Sequence, residues 1–98
     1  MKSRPLVVLQ KADISIQGSS AHYSKPRVYL EDVEQYEAVE IALFNKDGSW
    51  INPHDSSILD AFPRLEELQE MYENNDVPVG CYIPLELVKD LISFLEEE

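Results

Sequence analysis

The sequence predicts a single α+β domain, a small antiparallel sheet packed by two or three helices, and three observations predict it. Residues 12–17 alternate, with Ile14 and Ile16 on one side and Asp13, Ser15 and Gln17 on the other. Asn45-Lys46-Asp47-Gly48-Ser49 separates two β-rich runs, and its Asp-Gly pair suits the positive backbone dihedrals of a hairpin. Beyond residue 55 the apolar spacing changes to three and four, the helical period. Strands followed by helices, with a hairpin among the strands, make an α+β arrangement. The 98 residues leave room for one domain, 1–98, and show no internal repeat.

Each element has its own signal. Residues 5–10 and 12–17 read as strands, and residues 18–24 as a polar loop. Val28-Tyr29-Leu30, after Lys25-Pro26, reads as a short strand, and residues 31–35 as a charged connection. Residues 35–44 are the strongest strand, with Val39, Ile41 and Leu43 on one face. The opposite face, Tyr36, Ala38, Glu40, Ala42 and Phe44, is too apolar for full solvation, so helices or a partner are expected to cover part of it. Trp50-Ile51 begins the returning strand.

Asp55, Ser56 and Ser57 are good cap residues, and Ser57-Ile58-Leu59-Asp60 resembles a capping box with Asp in place of Glu. Ile58, Phe62, Leu65, Leu68 and Tyr72 then form one apolar stripe, in which Pro63 either kinks one helix or begins a second. Asn74-Asn75-Asp76 ends it, residues 77–83 read as a strand, and Pro84 opens a last helix burying Val88, Leu91, Ile92 and Leu95. The expected shared core is Val39, Ile41, Leu43, Leu65, Leu68, Val88, Leu91 and Ile92. Glu86 favours the dipole of the last helix, whereas Glu96-Glu97-Glu98 opposes it at the other end, so the tail is expected to fray.

Composition narrows the class. With 44% hydrophobic and 28% charged residues the chain is too apolar for a disordered acidic tail. Cys81 is the only cysteine, which rules out an internal disulfide and favours a reducing compartment. Leu6-Val7-Val8-Leu9 is too short for a signal-peptide core, and no run approaches a membrane span. A cytoplasmic protein is expected, in a host cytoplasm if phage-encoded.

No motif names a reaction. His54, Asp55 and Asp60 are close in sequence and His22 stands in a loop, but a metal needs several convergent ligands, and cap and loop roles account for all four. Asn45-Lys46-Asp47-Gly48 lacks the glycine at position six and the glutamate at twelve of a calcium loop. Ser19, Ser20 and His22 are local neighbours, which is poor support for a nucleophile and its base. The glycines at 18, 48 and 80 are isolated and make no phosphate loop. Neither an enzyme nor a cofactor nor a metal is expected.

The charge is the remaining lead. Residues 1–30 carry five Lys and Arg against Asp13 alone, a balance of +4, whereas residues 31–98 carry three against eighteen acidic residues, a balance of −15. One cluster is Glu31, Asp32, Glu34, Glu37 and Glu40; the other is Glu66, Glu67, Glu70, Glu73 and Asp76. On a helix Glu66, Glu70 and Glu73 share a face, where like charges cost ~0.2–0.5 kcal/mol per pair. Such faces repel nucleic acid and seek basic surfaces. A solvated helix face is the plain alternative.

In size, charge and compact α+β pattern the chain resembles the small acidic anti-defence proteins of phages and mobile elements, the anti-CRISPR and anti-restriction proteins of the DNA-mimic type. The resemblance implies a non-enzymatic inhibitor that occupies the nucleic-acid site of a basic partner, a CRISPR effector, restriction enzyme or nuclease. The ten carboxylates above would be its contact residues, with no direct contact to nucleic acid or membrane. The alternatives are an immunity protein against a nuclease toxin, and a structural or assembly adaptor that works through the apolar sheet face, a homodimer included.

Overall fold

The computed structural model describes residues 4–72 and 78–97. Its centre is the strand that the sequence marks most strongly, which begins at Ala38 rather than at residue 35. Five antiparallel strands surround or include it: β1 (Val7–Val8), β2 (Asp13–Gln17), β3 (Ala38–Phe44), β4 (Trp50–Ile51) and β5 (Val79–Pro84). β2 pairs along one edge of β3, while β5 and β4 follow each other along its other edge. Two helices complete the chain, α1 (Leu65–Glu70) and α2 (Leu85–Glu96).

Residues directly opposite in an antiparallel pair share a face. The register sets Ile14 against Leu43, Ile16 against Ile41, Ile51 against Leu43 and Ile83 against Val39, which makes one continuous apolar layer. Leu87, Val88, Leu91 and Leu95 of α2 join it in one core cluster, at the spacing of one helix face. Leu59, Phe62, Leu68 and Tyr72 complete that cluster. Of the expected core, Leu65 and Ile92 are only partly buried and pack against its margin.

The hairpin forms as expected: Asn45 and Ser49 close it, and Gly48 adopts φ 89°, which an L side chain avoids. β5 and α2 join directly at Pro84, whose φ of −55° suits a helix entrance, and the Leu85 amide is held by the Glu37 carbonyl at 3.0 Å.

Several elements differ from the sequence expectation. Only Val7 and Val8 of residues 5–10 pair as strand. Val28-Tyr29-Leu30 is not a strand, because the Tyr36 hydroxyl takes over its polar groups: it accepts from the Leu30 amide at 2.8 Å and shares its proton between the carbonyls of Val28 (2.7 Å) and Gly18 (3.0 Å). The connection at 31–35 contains a 3-10 turn, Val33–Gln35, with a capping box built on Asp32. Residues 58–62 run as turns, with Phe62 bonded back to Leu59, so helix begins only at Leu65 after Pro63. The apolar spacing there serves successive turns on one surface. The strand expected over 77–83 begins at Val79; Val77 and the Asn74-Asn75-Asp76 stop lie outside the described residues. The helix α2 holds to Glu96, and Glu98 lies outside the described residues.

Candidate functional site

Both helices lie on the core side of the sheet, and the surface they present is where the carboxylates gather. Arg64 organises it. Its Nε and Nη2 meet Glu67 at 2.6 and 3.1 Å, Nη1 and Nη2 meet Glu86 at 2.5 and 2.8 Å, and Nη1 also reaches Asp90 at 2.7 Å. Two bidentate forks and a fifth bond use the donor geometry that distinguishes arginine from lysine. One guanidinium against three carboxylates leaves an excess of two negative charges. The same forks hold the Glu67 and Glu86 carboxyls below the usual carboxylate range and raise the Arg64 guanidinium further above its already high value.

α2 extends this surface. Glu86 and Asp90 are one turn apart, and Ser93 and Glu97 continue the exposed stripe away from the buried Leu87–Leu91–Leu95 side. Lys89 on the same helix pairs with Glu34 of the 3-10 turn at 2.7 Å. Each of the two carboxylate runs, about thirty residues apart in sequence, is therefore tied to α2 through one cation, Glu67 through Arg64 and Glu34 through Lys89.

The structure divides the ten predicted contact residues. Glu31, Asp32, Glu34, Glu37, Glu66, Glu67 and Glu70 are exposed. Glu37 pairs with Lys25 at 3.2 Å across exposed surface, and the Asp32 carboxylate caps the Glu34 amide at 2.9 Å, a structural task. Glu66 and Glu70 make no ion pair among the described residues. Glu40 stands apart, on the opposite face of the sheet beside Gln17. Glu73 and Asp76 lie outside the described residues, so the i, i+4, i+7 face of Glu66, Glu70 and Glu73 is described only over Glu66 and Glu70, with α1 ending at Glu70.

Sequence reasoning missed Glu86 and Asp90. Their signal was present, two carboxylates four apart on the polar side of the last amphipathic helix. Arg64, a single cation between two acidic stretches, was the other clue.

The residues weighed for catalysis have local duties. Ser19 is buried, and its Oγ lies 2.7 Å from His22 Nδ1 while accepting the Ala21 amide at 3.0 Å, so the oxygen is spent on the turn. The Asn52 side chain caps the amide of His54. Among the described residues no group of three His, Cys, Asp or Glu side chains is placed to hold a metal ion, and no helix is long and apolar enough to cross a membrane. No protein-family model, curated protein or solved structure matches the chain.

Proposed function

We propose that this protein is a binding module whose helix-side acidic surface docks on the basic nucleic-acid site of a partner, with carboxylates standing where phosphates would lie. The observation that carries this reading is the Arg64 cluster with its flanks. Glu67, Glu86 and Asp90 are gathered on one guanidinium, Glu34 is tied to α2 through Lys89, and Glu66 and Glu70 are exposed on α1. Fixed carboxylates lose less side-chain freedom on binding than mobile ones. A net charge of −11 steers such a protein toward basic clefts at low ionic strength. The partner classes are an RNA-guided nuclease, a restriction enzyme or a nuclease toxin, the last making the protein an immunity factor.

The test mixes the protein with one purified member of each class and measures DNA binding and cleavage by that enzyme. Inhibition that is competitive with DNA and lost in 0.5 M salt, where the Debye length is roughly 4 Å, supports the reading. Glu66→Gln with Glu70→Gln should slow association and flatten its salt dependence while leaving the Arg64 cluster intact. An inhibitor that acts equally well at high salt, or no inhibition of any class at low salt, would sink it.

A further inference from the structure

A groove of about 450 Å³ lies between residues 61–64 and the C-terminal half of α2, beside the Arg64 cluster. Its apolar wall is aromatic: Phe62, seated in the core, and the half-buried Phe94 hold their rings 5.4 Å apart at 46°. Asp90, Ser93 and Glu97 line it from α2, and all three are exposed. Side chains three and four apart are neighbours on a helix surface. Phe94 is therefore flanked by Asp90, four residues before it, and by Glu97, three after it, so a cation stacked on the ring lies between two carboxylates. Lys11, whose amide is held by the Leu95 carbonyl at 2.8 Å, completes the lining beside Phe94.

We propose that this groove receives an arginine side chain of the basic partner, its guanidinium on the Phe94 ring between Asp90 and Glu97. The inference rests on the docking reading above and names the contact that anchors it. The chain's own use of the groove points to a cation: Lys11 Nζ stands 4.0 Å over the centre of the Phe94 ring, where the negative ring face attracts positive charge. Among the described residues Lys11 makes no ion pair, so the ring is its resting place in the free chain. Charge sets the sign of the guest. With the Glu67 and Glu86 that Arg64 holds, the groove and its rim carry four carboxylates, those two with Asp90 and Glu97, against two cations, Arg64 and Lys11.

Two of those carboxylates have capacity to spare. Glu97 makes no ion pair among the described residues, and Asp90 meets Arg64 through Oδ2, which leaves Oδ1 for a second donor. Arginine suits the place better than lysine, because its planar, weakly hydrated guanidinium stacks on a ring while its edge donors reach carboxylates. Nucleic-acid sites present such arginines as phosphate ligands, and a buried arginine in a pocket is a common anchor of an interface. Lys11 is then a resident competitor that the incoming guanidinium displaces into water.

The experiment titrates the full chain with a short glycine-flanked arginine peptide and with its lysine and citrulline counterparts, followed by amide NMR. The arginine peptide should shift the amides of Ala61, Ser93 and Phe94 saturably, the lysine peptide should bind severalfold more weakly, and citrulline, of the same shape without the charge, should leave them in place. Lys11→Met keeps the stem and removes the competing charge, so it should tighten arginine binding severalfold, whereas Glu97→Gln should weaken it. Ser93→Trp, at an exposed position, should fill the groove and abolish the shifts. Equal binding of arginine and citrulline overturns the proposal, as do shifts centred on Glu66 and Glu70, or a Lys11→Met variant that binds arginine less well. The two readings fail separately. Competitive inhibition of an enzyme that Ser93→Trp leaves at full strength removes the groove as anchor and keeps the acidic surface as the contact. An arginine peptide seated in the groove, with no enzyme class inhibited at low salt, removes the docking reading and keeps the groove's preference for arginine.

Discussion

Arg64 on the approach to α1 donates to Asp90 on α2 at 2.7 Å, and through the same guanidinium it also holds Glu67 and Glu86. This bond ties the segment leading into the short helix to the long one, and the guanidinium gathers three mutually repelling carboxylates into one group.

Replacing Arg64 with Gln should therefore lower the melting temperature modestly, since exposed ion pairs contribute little, and high salt should shrink the difference. The larger effect should be loss of order among Glu67, Glu86 and Asp90, measurable as faster side-chain motion by carbonyl NMR. Unchanged dynamics in the variant would show that these carboxylates are ordered by something else.

The pH dependence has a definite sign. Glu67 and Glu86 are held below their ordinary value of 4.5 by Arg64, so their contribution to stability is complete above that value and disappears as pH falls through the lowered one. The stability gap between wild type and Arg64→Gln should be constant from pH 6 to 8 (roughly neutral conditions, well above any carboxylate value) and should close in acid. Denaturant unfolding at a series of pH values measures it. A gap that widens in acid contradicts the assignment.

Tyr36 is the pin of the 18–30 loop. Phe at this position removes the hydroxyl that serves Leu30, Val28 and Gly18, leaving buried backbone groups unpaired, at a cost of about 1–3 kcal/mol. Gly18→Ala should damage the same place, because a Cβ there would fall 2.4 Å from the Tyr36 ring. Amide exchange in residues 18–30 should rise in both variants while that of α2 follows only the global change. Equal acceleration everywhere would mean that the loop does not open by itself.

Tyr72 presents the opposite case. Among the described residues its buried hydroxyl has no hydrogen-bond partner, and burial holds the phenol above its usual ionisation range. Tyr72→Phe should be neutral or slightly stabilising, by up to about 1 kcal/mol. A loss of more than that in thermal unfolding would reveal a partner for the hydroxyl.

Leu91 lies at the centre of the helix–sheet contact, fully buried, and Leu91→Ala should cost on the order of 2–5 kcal/mol. A change under half of the lower figure would mean that α2 is less firmly seated than its burial indicates.

Local spacing and one turn signal determined the two central strands, the hairpin after β3 and the last helix. Alternation at Ile14–Ile16 and Val39–Leu43 places one layer, Asp47-Gly48 closes one hairpin, and Val88–Leu91–Leu95 buries one helix face, because in each case local spacing and burial make the same demand. The acidic character of the chain was equally plain, since charge is a property of composition. Tertiary structure decided the rest. Residues 58–72 carry a helical spacing yet form helix only from Leu65, because turns at Leu59 and Phe62 reach the core equally well. Val28–Leu30 is extended by propensity, but the Leu30 amide and the Val28 carbonyl are taken by the hydroxyl of Tyr36, six to eight residues further on. The joining of two acidic runs around α2 depends on Arg64–Glu86 and Lys89–Glu34, contacts over 22 and 55 positions that no local pattern encodes. The exposure of Phe44 and Trp50 was decided in the same way, by both helices folding onto the other face of the sheet.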